Sequence, residues 1–213
     1  MIKKLINCLL SLIFPVECLG CKKENTYFCK QCLNKIKPKA EPFEHPLIHL
    51  DGVYSAADYN DKLVRTAIHC LKFRFIKQLA EPLAEILINY YSNNRLPDSI
   101  IMPVPLNKKR LLERGFNQAE LIAKIFAGYF NYQFVNQGVI RHKNTPHQVG
   151  LAKKERLVNV REAFRIKDAE MIKDKNIILI DDVVTTGSTL EEIARVLKRA
   201  GAKKVWGLTV AKD

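Results

Sequence analysis

Apolar residues recur along the chain in two rhythms, and the changes between them mark the elements. Residues 53–59 alternate as a strand, and residues 63–91 are helical material in which Pro82 requires a break or a new first turn. Residues 100–105 (Ile-Ile-Met-Pro-Val-Pro) predict a short apolar strand, followed by a basic loop over 107–118 and a helical pattern to about residue 130. The uninterrupted run Ile177-Ile-Leu-Ile180 predicts a buried strand, residues 191–200 a helix stopped by Gly201, and residues 205–210 a further strand. Strand, loop, helix in this order predicts a mainly parallel α/β sheet flanked by helices, with a ligand site at one sheet edge. Pro38, Pro42 and Pro46 mark a linker ending near residue 50. The expected domains are therefore 1–50, a small module with its linker, and 51–213, the α/β domain.

Composition agrees with that division. A chain of 213 residues, 47% hydrophobic and 27% charged, holds one full domain and a small module, not a large multidomain machine. The net charge of +13 suits anionic partners: nucleic acid, anionic membrane or phosphorylated ligands. Residues 101–166 carry much of it, with twelve Lys and Arg against four Asp and Glu, so this segment reads as an anion-binding lobe. The start of the chain places Lys3 and Lys4 before an apolar run, as a signal peptide does. Asn7 and Ser11 interrupt that run, Pro15-Val-Glu17 is no small-residue cleavage site, and the run falls short of the about 20 residues of a membrane span. The preferred reading is an amphipathic helix docking on the protein or a partner, with transient membrane contact as the alternative. The expected location is cytoplasmic, with peripheral attachment to the inner membrane left open.

Four of the six cysteines form Cys18-x-x-Cys21 and Cys29-x-x-Cys32. Each pair closes a short turn that aims two thiolates at one ion, and two such turns supply the four soft tetrahedral ligands of structural Zn2+. Two disulfides or unpaired core cysteines are the rival readings; without a convincing secretory leader the metal is favoured. A shell closed by four cysteines leaves no open position for water, so the ion would hold together a segment too small for its own core. The surrounding Lys22, Lys23, Lys30, Lys35, Lys37 and Lys39 fit phosphate contact or plain solvation equally. Cys8 and Cys70 read as packing residues, and His45 and His49 as surface or loop histidines.

The chemistry concentrates at Asp181-Asp-Val-Val-Thr-Thr-Gly-Ser-Thr189. Two adjacent carboxylates after a buried strand can hold hydroxyls or, through water, Mg2+. The hydroxyls and backbone N–H groups of Thr185, Thr186, Gly187, Ser188 and Thr189 offer a phosphate cradle at a helix start. The Gly-x-x-x-x-Gly-Lys-Ser/Thr pattern of P-loop ATPases is absent, and no Gly-x-Gly-x-x-Gly follows a strand.

At these residues the chain resembles the type I phosphoribosyltransferases, whose signature loop binds the ribose 5-phosphate of phosphoribosyl pyrophosphate. The resemblance narrows to the ComF family of competence-associated proteins. Pro103-Val-Pro105, Arg114-Gly-Phe-Asn-Gln118, Thr145-Pro-His-Gln148, Arg156-Leu-Val-Asn159 and the cysteine pairs occur in that order over essentially the whole chain. It implies a type I phosphoribosyltransferase-like domain with an N-terminal four-cysteine zinc module. It further implies that Asp181 and Asp182 hold the ribose hydroxyls as the catalytic pair, that Val183, Val184 and residues 185–189 form the loop for phosphoribosyl pyrophosphate, and that Mg2+ sits on the pyrophosphate. Lys108, Arg110 and Arg114 correspond in position to the pyrophosphate loop, and Arg141, Lys143, Thr145, Gln148, Lys153, Lys154 and Arg156 to a hood over the site that also offers DNA contacts. Where many members carry a Cys-Pro-x-Cys-Gly stretch this chain has Glu41-Pro-Phe-Glu-His-Pro46, so a second metal site is not expected.

The favoured functional reading is a competence protein that binds phosphoribosyl pyrophosphate with magnesium and assists uptake of single-stranded DNA in natural transformation. The alternatives are an active phosphoribosyltransferase of nucleotide salvage or metabolism, and a zinc-stabilised assembly module for a DNA-uptake helicase or inner-membrane channel. An active enzyme would displace pyrophosphate at ribose C1 without a covalent protein nucleophile, and nothing in the chain identifies the acceptor base. Phe116, Tyr129, Phe130, Tyr132 and Phe134 lie near the basic lobe; they are read first as core and second as stacking surfaces for bases. Oligomeric state is left open.

Overall fold

The computed structural model of the chain describes residues 16–38, 47–142 and 163–213. The central apolar run becomes β5 (Asn176–Val184), flanked by β6 (Lys204–Lys212) and β2 (Ile100–Pro103), with β1 (Gly52–Asp58) outside β6. All three pairings are parallel, giving the sheet order β1-β6-β5-β2. Between β1 and β2 run α2 (Lys62–Phe73), a 3-10 turn (Lys77–Leu79) and α3 (Ala80–Asn93). Pro82 falls in the first turn of α3, where its missing N–H breaks no intrahelical bond. After β2 come α4 (Lys108–Arg114) and α5 (Gln118–Phe130), and α6 (Ser188–Arg199) joins β5 to β6. A two-stranded antiparallel ribbon, β3 (Val139–Arg141) with β4 (Phe164–Ile166), stands apart from the main sheet.

A strand alternates faces every residue, and a parallel sheet buried on both faces must be apolar on both. Ile178 and Ile180 of β5 enter one core with α2, α3 and α5, whereas Ile177 and Leu179 enter the other with α6. Across β1 and β6 the paired hydroxyls of Ser55 and Thr209 meet at 2.8 Å, so two buried polar groups satisfy each other in register. Gly207 of β6 lets α6 lie close: a Cβ there would come within 2.8 Å of Leu190 Cδ1.

The cysteine segment is not a free-standing bead. Its short helix α1 (Lys30–Leu33) and the buried Cys18, Phe28, Cys29, Cys32 and Leu33 join the same core as α2 and α3. Residues 48–51 are clamped where the α/β domain begins. The Glu191 carboxylate in the first turn of α6 accepts from the N–H groups of Ile48, His49 and Leu50 at 3.1, 2.7 and 3.2 Å, and meets His49 Nδ1 at 2.8 Å. Asp51 accepts from Lys198, Lys204 and the Val205 N–H at 2.7, 2.7 and 2.8 Å.

Three expectations are refined. β5 runs past Ile180, so both aspartates stand inside the strand. α6 begins at Ser188, which places the last hydroxyls of the loop in its first turn. Most of the basic loop is the helix α4, capped by Asn107 and ended by Gly115 at φ 75°. The expected amphipathic helix of residues 1–14 lies outside the described residues. Among the described residues no helix is long and apolar enough to cross a membrane.

Candidate functional site

One cleft of about 990 Å3 opens at the carboxyl end of the sheet. β5 supplies Asp181, Asp182, Val183 and Val184, the loop into α6 supplies Thr185 to Thr189, α4 supplies Arg110 and Arg114, and β3 supplies Arg141. Period two along β5 sends Asp182 to the same face as Ile178 and Ile180, toward α2 and α5. There it is 2% exposed, paired with Lys72 Nζ from α2, and accepts from Gln118 Nε2 at 3.1 Å. The Gln118 carbonyl in turn accepts from Arg114 Nη1, so the amide is used at both ends. Asn117, at the cap of α5, donates to the Val104 carbonyl at 3.0 Å and accepts from the Ala119 N–H at 3.1 Å, which fixes the strand β2 relative to the helix carrying Gln118.

The two adjacent carboxylates ionise differently. Burial opposes charge on Asp182, but Lys72, the neighbouring Asp181 and Gln118 outweigh it and hold the carboxyl below its ordinary range. Burial, and then the charge on Asp182, push Asp181 well above that range. Arg114 and Arg141 are pressed down by burial; Asp182 acts back on the first and Asp181 on the second, and a guanidinium stays charged throughout. Carboxylates thus face cations across the cleft floor.

The loop beyond them has the form an anion needs. Gly187, at φ 71°, takes the left-handed turn that starts α6, a conformation without steric cost only for glycine. The Ser188 N–H, first of the helix, donates to the Thr186 hydroxyl at 3.4 Å, and the hydroxyls of Thr186 and Ser188, 3.0 Å apart, lie at this helix start on the cleft. Carboxylates, hydroxyls, helix-start N–H groups and three guanidinium groups form a donor set that fits a magnesium-bearing diphosphate of a sugar. In such a complex Asp181 and Asp182 would face hydroxyls and metal-bound water, and Thr185 to Thr189 a phosphate.

Of the residues expected at this site, Asp181 to Thr189, Arg110, Arg114 and Arg141 meet in the cleft. Lys108 is exposed at the start of α4 and is not among the lining residues. Lys143, Thr145, Gln148, Lys153, Lys154 and Arg156 lie outside the described residues. Sequence reasoning missed Lys72, His69, Phe73 and Phe75, which all line the cleft. Lys72 had a signal: it continues the i, i+4 series of the buried Val64 and Ile68, and a lysine on an apolar stripe calls for a carboxylate.

At the other functional centre the Sγ atoms of Cys18, Cys21, Cys29 and Cys32 all lie within 4.8 Å of one another. Four thiolates on a tetrahedral zinc would stand about 3.8 Å apart, so the cluster fits such an ion. Burial opposes ionisation of Cys18, but the N–H groups of Cys21, Cys29 and Gly20 prevail and bring its thiol down to about 6. Burial holds Cys32 up at about 12, and a thiol so placed becomes a ligand only by losing its proton to a metal. Gly20 admits the turn, since a Cβ there would lie 2.7 Å from Cys32 Sγ. Cys70 is buried in the core, as expected of a packing residue.

A parallel sheet, a β5–α6 hydroxyl loop and an acidic pair at its head define a phosphoribosyltransferase-type domain, and the phosphoribosyl transferase domain family matches residues 110–212. The match to relatives extends into the cysteine segment. The chain is 34% identical over 188 residues to the DNA utilization protein YhgH of Shigella flexneri, covering 84% of this chain and 76% of that protein. It is 32% identical over 209 residues to competence protein F of Haemophilus influenzae, covering 93% and 86%. To competence protein ComFC of Bacillus subtilis it is 32% identical over 149 residues, covering 69% and 58%. The chain belongs to the ComF family of competence and DNA utilization proteins.

Proposed function

We propose that this protein binds phosphoribosyl pyrophosphate with magnesium in the cleft at Asp181–Thr189 and handles single-stranded DNA during uptake. The observation that carries the first half is the nearly sealed Asp182, held by Lys72 and Gln118 beside a hydroxyl-rich helix start. Arg110, Arg114 and Arg141 on the same cleft would take the pyrophosphate. Magnesium, when bound, neutralises the diphosphate. The family of competence and DNA utilization relatives, with the net charge of +13, supports the second half.

Isothermal calorimetry with phosphoribosyl pyrophosphate and magnesium tests the ligand. Replacing Asp182 with Asn removes charge-assisted hydrogen bonds and is expected to weaken binding about 10- to 100-fold; unchanged affinity would overturn the assignment. A transferase activity is the second reading, favoured by a cleft of about 990 Å3, at the upper end of the range for small-molecule sites. Pyrophosphate release across a panel of nucleobases, above an Asp181→Asn, Asp182→Asn double variant, would establish it and name the acceptor.

A further inference from the structure

The last turn of α2 and the residues after it read Lys72-Phe-Arg-Phe-Ile-Lys77. Its two aromatic side chains face solvent at the cleft: Phe73 is 57% exposed and Phe75 51%, and both line the opening. Large apolar rings left this open are ordinarily folded inward. Here the backbone holds them out. The N–H groups of Arg74 and Ile76 both turn back to the Cys70 carbonyl, at 3.0 and 3.3 Å, and Phe75 between them is forced to φ 57°, a left-handed conformation that a side chain rarely adopts. Glycine would fill this position without strain; phenylalanine fills it only at a conformational cost.

The rings stand among cations. The Arg114 guanidinium lies 5.8 Å from the Phe73 ring centroid, the His69 ring 4.8 Å from it, and Arg74 and Lys77 are exposed beside the rings in sequence. Exposed aromatic rings alternating with basic side chains are what a single strand needs: π faces for bases and charge for phosphates. An enclosed small-molecule site would cover most of its ligand, whereas this shelf is open on its outer side and offers two ring positions rather than one slot.

We propose that Phe73 and Phe75 form a stacking shelf for the bases of single-stranded DNA, with Arg74 and Lys77 along its phosphates. The proposal rests on the DNA-handling half of the function proposed above and gives it a place at the mouth of the sugar-phosphate cleft. Of the aromatic candidates read from the sequence, Phe130 and Tyr132 play another part: they pack with Tyr91 and Phe126 within the helical layer.

Fluorescence anisotropy on the metal-loaded full chain, with a labelled oligothymidine and an abasic strand of equal length, tests the shelf. Wild type is expected to bind the base-bearing strand more tightly. Phe73→Ala and Phe75→Gly should each weaken that binding about 5- to 100-fold while leaving binding of the abasic strand unaffected. Because glycine relieves the left-handed strain, Phe75→Gly should melt no lower than wild type, which keeps the loss of DNA apart from a loss of fold. Equal binding by wild type and variants overturns the shelf and leaves the DNA reading standing. Absence of single-strand binding in wild type overturns both. Loss of nucleobase or phosphoribosyl pyrophosphate binding with DNA binding intact assigns the rings to a small-molecule acceptor and refutes the shelf.

Discussion

Replacing Asp181 with Asn is expected to stabilise the ligand-free protein while weakening its affinity for phosphoribosyl pyrophosphate. Two adjacent carboxylates share one ammonium, and Lys72 pairs with Asp182. Burial and the charge of Asp182 therefore keep the Asp181 carboxyl well above the usual carboxylate range. The unfolded chain titrates near 3.9, so the folded state holds its proton to higher pH, and stability falls as pH rises from about 4 through the raised folded value. Asparagine keeps the oxygen that accepts from the Asp182 N–H at 2.8 Å and deletes the charge. Relief of a strained functional site is worth about 0.5–2 kcal/mol, and in a chain of this size 1 kcal/mol moves Tm by about 2–4 °C. The expected gain is therefore about 1–8 °C at pH 8, lost as pH falls through the raised folded value toward about 4, as read by scanning calorimetry on metal-loaded protein. A variant that melts at or below wild type at pH 8, or whose gain is as large at about pH 4 as at pH 8, would refute the reasoning.

Lys72→Met strips Asp182 of its counter-ion while the carboxyl stays 2% exposed, so it should cost about 1–3 kcal/mol in urea unfolding, and adding Asp182→Asn should restore most of that loss. Elemental analysis should find one zinc per chain, lost in Cys32→Ser. Chelation should lower the melting of the α/β domain as well, because Cys18, Cys29, Cys32 and Leu33 share its core. Asp51 has its carboxyl held down: burial opposes the charge, but Lys198, Lys204 and the Val205 N–H prevail. Asp51→Asn should therefore cost about 1–2 kcal/mol at neutral pH, and the difference from wild type should vanish as pH falls below about 4 through the lowered folded value.

Where one interaction dominates, the sequence speaks directly. The run Ile177-Ile-Leu-Ile180 is apolar on both faces, which only a strand covered on both sides satisfies, and β5 is that strand. The two Cys-x-x-Cys pairs carry their geometry in their spacing. Boundaries were less legible, because they depend on groups distant in the chain. α4 folds within a stretch that reads as a basic loop, since no residue of it is buried and its helical form rests on the Asn107 cap and the Gly115 turn. The clamp of Glu191 on residues 48–50 joins positions more than 140 apart, and no local pattern announces it.

The same division runs through the site. Asp181 to Thr189 is contiguous and could be read whole, but Asp182 is useful only because a lysine from α2 and a glutamine from α5 reach it, and those contacts are tertiary. α2 makes the two halves of the cleft one device. Consecutive helical residues point about 100° apart, so Lys72 reaches inward to the acid while Phe73, the next residue and the last of the helix, faces out at the mouth. Were the proposed sugar diphosphate to draw the Lys72 ammonium from Asp182 to its own phosphates, it would pull on the turn that carries Phe73 and leads into the strained Phe75. Such a pull would couple occupancy of the inner site to the position of the outer rings, and phosphoribosyl pyrophosphate would then change single-strand affinity in wild type but not in Lys72→Met. Anisotropy titrations with and without the sugar diphosphate read that difference directly, and an equal effect in both proteins would separate the two sites.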